Sequence, residues 1–104
     1  MTKLPPDLRT LLEDLRREVP CLLPVRVYVR PSLHDWGEAE LVEKDGRLCH
    51  FTIRLRPTHE QVMRDSLMHE WAHCLSWREG PLVQTHGHAW GIAMSEVYTA
   101  TEAV

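Results

Sequence analysis

The chain has 104 residues, enough for one domain with a single small core, so residues 1–104 are read as one unit. A hydrophobic share of 43%, a charged share of 26% and a net charge of -3 argue against a strongly basic nucleic-acid binder, and no apolar run approaches the length of a membrane span. Cys21, Cys49 and Cys74 are an odd number without a C-x-x-C pair, which fits neither a disulfide framework nor a structural zinc finger. With an N-terminus that carries charges throughout and lacks the apolar segment of a signal peptide, they lead to the expectation of a cytoplasmic protein.

Pro5 and Pro6 open a helical pattern in which Leu8, Leu11, Leu12 and Leu15 share one face, and Pro20 ends it. In LPVRVYVR, Val25, Val27 and Val29 alternate with Arg26, Tyr28 and Arg30, which predicts a strand with one buried face, stopped by Pro31. The segment from Glu38 to Arg56 predicts a hairpin around Asp45-Gly46, a dipeptide suited to a tight turn with positive backbone angles, with Phe51, Ile53 and Leu55 on one face of the second arm. Arg26, Arg30, Arg54 and Arg56 sit at alternate strand positions and are read as solvated strand faces. After Pro57, T-H-E-Q suggests a capping box that pairs Thr58 with Gln61 at the start of a helix running to about Trp77, and Gly80-Pro81 breaks it. A short loop, PLVQTHG, leads to a last helix from His88 to about Thr101, with Trp90, Ala93, Met94 and Val97 in register, and the tail TATEAV is expected to fray. The order helix, strand, hairpin, helix, helix predicts an α+β domain with a three-stranded antiparallel sheet.

Seven histidines is the unusual count, and four of them fall between His69 and His88. The stretch SLMHEWAHCLSW contains H-E-x-x-H as His69, Glu70 and His73. Histidines four apart lie on one helix face, one turn apart, so both imidazoles can converge on one ion. Glu70 sits about 100° further round the helix, where a carboxylate reaches a water beside the ion without binding the ion itself. A catalytic zinc site takes three protein ligands and leaves the fourth position to water, whose pKa it lowers toward about 7.

Two histidines need a third ligand, and four residues are candidates. Glu79 stands six residues after His73, where one class of zinc protease has its third histidine, but Ser76 replaces the glycine at which those chains turn. Glu96, on the last helix, matches the His, His, Glu arrangement of thermolysin-like proteases. His86 and His88 both lie in THGHAWGIAMSEVY.

HEWAH (His69 to His73), followed after residues 74 to 85 by HGHAW (His86 to Trp90), resembles the SprT-like zinc metallopeptidases, the group that includes the Spartan proteases. The resemblance covers roughly residues 50 to 98. It implies that His69, His73 and His86 hold Zn2+, that Glu70 is the general base, and that the fold is a minimal zincin-like domain. Gly87 would let the backbone turn into the last helix, and Trp90 would pack under the metal helix and fix the approach of His86. Spartan proteins have separate DNA-binding parts and many SprT-like chains have a zinc ribbon; this sequence matches neither, so DNA targeting is not carried over.

The expected function is a zinc metalloendopeptidase that hydrolyses peptide bonds in a protein or peptide substrate with a zinc-activated water and Glu70 as base. His88, Tyr98 and Tyr28 are the candidate oxyanion donors. The strand Cys49 to Arg56 is expected to hold an extended substrate by strand addition, with Arg54 and Arg56 favouring acidic partners. The alternatives are a zinc-stabilised interaction module with little or no peptidase activity, a metal-free helical regulator, and a zinc hydrolase acting on something other than peptides.

Overall fold

A computed structural model of the chain describes residues 4–77 and 86–102. In chain order the elements are α1 (Pro6–Glu18), β1 (Val25–Val29), β2 (Gly37–Lys44), β3 (Arg47–Leu55), α2 (Glu60–Ser76) and α3 (His88–Glu102). The expected Gly80-Pro81 break, Glu79, most of the PLVQTHG loop and the last two residues of the tail lie outside the described residues.

Helix α1 starts with Pro6 in its first turn, where a missing N–H costs no helical hydrogen bond, and buries Leu8, Leu11, Leu12 and Leu15. The β2–β3 hairpin turns on Asp45 at φ 53° and Gly46 at φ 77°, the left-handed pair that a two-residue turn of this kind requires.

The sheet is mixed rather than wholly antiparallel, and this corrects the expected topology. Its order is β1-β3-β2, with β3 antiparallel to β2 but parallel to β1. Residues 30–36 carry the chain across the end of β3 to the far edge, held by Arg30 N–H donating to the Leu55 carbonyl and Arg56 N–H donating to the Trp36 carbonyl, both at 2.9 Å. Strand β3 enters between two strands that precede it in sequence. It is the apolar centre: Phe51, Thr52, Ile53 and Leu55 are all buried, so both of its faces are covered. Alternation in β1 reports which face is buried but carries no information about the direction of its neighbour.

The capping box is also corrected. Helix α2 begins at Glu60 with His59 as N-cap and no side-chain cap, so Thr58 and Gln61 are not in the N-cap and N3 positions. Gln61 Nε2 instead donates to Asp65 Oδ1 one turn on, at 2.9 Å.

Helix α2 packs on β2 and β3 and against α3 and α1. Its buried set, Met63, Leu67, Met68, Trp71, Ala72 and Cys74, covers more than one face, so the helix is enclosed through its second half. Trp71 is 1% exposed, and its Nε1 donates to the Val19 carbonyl at 2.9 Å, tying α2 to the end of α1. Phe51 and Trp77 meet edge to face with ring centroids 5.6 Å apart. All three cysteines are thiols. Truncating Trp71 removes a large buried ring and leaves the Val19 carbonyl without its donor; Trp71→Ala is expected to cost about 3–5 kcal/mol in a urea unfolding titration.

Candidate metal centre

Two elements supply the candidate site. His69 and His73 stand one turn apart on α2, and His86 lies two residues before α3 begins, so the approach of α3 to α2 carries it to the same place. The ligand nitrogens of His69, His73 and His86 all lie within 4.8 Å of one another. His73 Nε2 is 3.3 Å from His69 Nε2, and His86 Nε2 is 2.9 Å from His69 Nε2. Two nitrogens held at 2.0–2.1 Å on a tetrahedral ion stand about 3.3 Å apart, the spacing of the His69–His73 pair, and the three nitrogens together are close enough to share one ion. His73 is buried, His69 half-buried and His86 exposed, which leaves the cluster open on the His86 side.

The electrostatics favour neutral imidazoles at His69 and His73. Burial, and then the neighbouring His69 and His86, push His73 down to about 4. Burial, followed by His86, also lowers His69. A neutral imidazole is the form that donates its lone pair to a metal. His73 Nδ1 is buried and has no hydrogen-bond partner among the described residues.

Trp90 closes one side of the cluster. Its ring centroid lies 4.6 Å from that of His86 and 5.0 Å from that of His69, and its Nε1 donates to the His69 carbonyl at 3.4 Å. The expected packing of Trp90 against the metal helix is therefore present.

Glu70 is 6% exposed, and its Oε1 has no hydrogen-bond partner among the described residues. Burial, reinforced by the negative charges of Glu38 and Asp35, pushes its carboxyl up to about 7. With His69 it borders a groove of about 390 Å³, also lined by Asp35, Trp36, Gly37, Val62, Asp65 and Ser66. A carboxyl with one oxygen left without a partner among the described residues, at the edge of a groove it shares with His69, can take and return a proton.

Other expected positions fall elsewhere. His88 opens α3, exposed and outside the histidine cluster. Glu96 is exposed and lines a separate cavity with Leu75, Ser76 and Ile92. Tyr98 is exposed on α3 and Tyr28 lies on β1; neither lines the groove. From Phe51 to Leu55 strand β3 is paired on both sides, so over most of the expected substrate strand no edge is free for an added strand, which corrects that expectation; β2, whose first residue lines the groove, is an edge of the sheet. Arg54 donates to Glu40 at 2.8 Å and Glu38 at 3.4 Å, and Arg56 stands 5.1 Å from the Trp36 ring centre, so these cations are already engaged. Gly37 and Trp36 escaped the sequence reading because residues at the junction of a loop and a strand have no periodicity or motif to mark them.

No protein-family model, no curated protein and no solved structure matches this chain.

The shifts predict opposed pH effects in the metal-free protein. His73, and in the same direction His69, is held neutral, so the contribution is present above about 6.5 and is lost as the pH falls toward the His73 value of about 4, because the unfolded chain binds more protons there. Glu70 acts in the other direction: its buried carboxyl binds a proton more tightly than the unfolded 4.5, so stability is lost as the pH rises toward about 7. The two offset each other in wild type. In chelator-treated Glu70→Gln only the histidine effect remains, so its melting temperature is expected to fall more between pH 7 and pH 5 than that of chelator-treated wild type.

Proposed function

We propose that this chain is a zinc-dependent metalloendopeptidase of the SprT-like kind, with His69, His73 and His86 as metal ligands and Glu70 as general base. The observation that carries the reading is the convergence of three imidazole nitrogens from two separate segments, with a buried glutamate at the position next to the first of them that shares a groove with it and whose Oε1 has no hydrogen-bond partner among the described residues. The match of HEWAH and HGHAW to the family's paired motifs supports the same assignment.

Zinc bound by the three histidines supplies a Lewis acid that lowers the pKa of water and polarises a carbonyl. Glu70 then has the two tasks of a base: its carboxylate accepts the proton of the attacking water and delivers it to the leaving amine. His69 and Glu70 face the groove, and the free edge of β2 begins beside it, so an extended peptide has backbone groups to pair with next to the reacting centre. An intact, buried base separates this reading from a zinc-stabilised interaction module, whose metal site has no use for one. No helix among the described residues is long and apolar enough to cross a membrane, and the sequence composition points to the cytoplasm.

Elemental analysis of purified protein is expected to find about one zinc per chain in wild type, Glu96→Ala and His88→Ala, and none in His86→Ala. Loss of zinc from Glu96→Ala with retention in His86→Ala would move the third ligand to α3. Glu70→Gln is expected to keep its zinc and lose roughly 10²–10⁴-fold in cleavage of an unfolded protein substrate. A Glu70→Gln variant that cleaves at the wild-type rate sinks the mechanism.

A further inference from the structure

The start of β2 makes an unusual contact. Gly37 is the first residue of the strand and pairs in register with Leu55. A Cβ added there would stand 3.2 Å from Glu70 Cγ, 3.4 Å from Leu55 Cδ2 and 3.5 Å from the Arg54 carbonyl. The backbone at Gly37 does not have the positive φ that would by itself call for glycine; among the described residues Gly46 is the glycine with that requirement. Backbone conformation therefore gives no reason for a bare α-carbon at this position, whereas close approach does. What approaches it is the methylene stem of the residue assigned as the base.

We infer that Gly37 is a positioning residue for Glu70: its bare α-carbon is the wall against which the glutamate stem rests, and this sets where the carboxylate stands relative to His69 and the groove. The inference rests on the peptidase reading for its catalytic meaning, but the contact itself does not. Glu70 Oε1 has no hydrogen-bond partner among the described residues to orient it, so packing of the stem carries that task. On the strand side, Leu55 is fully buried and the Arg54 carbonyl is backbone, so neither yields readily to a new methyl group. Glu70 Cγ is the part able to move, by a few tenths of an ångström, and the carboxylate moves with it. A displacement of 1 Å can cost about 10²-fold in rate, so a smaller one is expected to cost about tenfold.

The test joins kinetics to a stability cycle in the full chain. Gly37→Ala is expected to keep about one zinc, to lower kcat about tenfold on an unfolded protein substrate, and to leave KM within about twofold. Gly91→Ala is the control: Gly91 lies on the exposed side of α3 and a Cβ there meets nothing within 4 Å, so its kcat is expected to match wild type. Melting temperatures of chelator-treated protein test the contact without reference to activity. Gly37→Ala is expected to lower the melting temperature in the wild-type background and to lower it less in a Glu70→Ala background, where the Cγ is gone. An unchanged kcat, a loss of zinc from Gly37→Ala, or an equal fall in melting temperature in both backgrounds would each overturn the inference. A wild type that carries zinc yet cleaves nothing overturns the peptidase reading instead, and the melting-temperature cycle still decides the Gly37–Glu70 contact.

Discussion

Trp71 holds α2 in rotation about its own axis, and the placement of the site depends on that rotation. Its indole is buried in the core and its Nε1 is tied to the Val19 carbonyl, 52 residues away in sequence. Trp71 lies two residues from His69 and two from His73, so it stands about 200° from each around the helix. Turning Trp71 into the core therefore turns both imidazoles toward the side where α3 arrives. Glu70, one residue from Trp71, is left at the margin of the core, buried but bordering the groove. A helix free to roll by one residue, about 100°, would carry His69 and His73 away from His86 or turn Glu70 away from the groove. The apolar packing that stabilises α2 is also what aims its polar residues.

Much of this was legible in the sequence because it depends on local spacing. The span of each helix, the Asp45-Gly46 turn, the shared face of His69 and His73 and the buried face of β3 all follow from periodicities or turn chemistry that act within a few residues. The sheet order was not legible. Val25, Val27 and Val29 show that β1 has an inner face, but inserting β3 between β1 and β2 is decided by which strand has both faces to cover, a competition across the whole domain. The expected substrate strand failed for the same reason, since β3 is flanked on both sides from Phe51 to Leu55. The capping box failed because Gln61 has a competing partner in Asp65, and four-residue motifs do not report such competition.

The third corner of the histidine cluster stands between these cases. Spacing alone left Glu79, Glu96, His86 and His88 open, and the paired-motif resemblance favoured His86. Among the described residues the structure gathers His86 with His69 and His73, while His88 opens α3 outside the cluster and Glu96 lines another cavity. Trp90 supplies the physical link: its ring lies against both His86 and His69, and its Nε1 points to the His69 carbonyl. The aromatic of the second motif is thus a spacer that fixes how closely α3 approaches α2, and His86 arrives because that spacing is fixed.

Enclosing Glu70 and the histidines opposes folding, and the same enclosure gives the site its chemical character. His69 and His73 are held neutral and the Glu70 carboxyl is held readier for protons than an exposed glutamate, with no described hydrogen bond to Glu70 Oε1 or His73 Nδ1 to offset the loss of water. In a domain of this size such unsatisfied polar burial is a substantial fraction of the net stability. An ion held by the three imidazoles would return part of that stability and clamp His86, at the entry to α3, onto α2. Metal binding and folding are then coupled through the same residues. On the peptidase reading, the glutamate kept without a partner is the group left available for the substrate's water, and the strand edge beside it is where the peptide would lie.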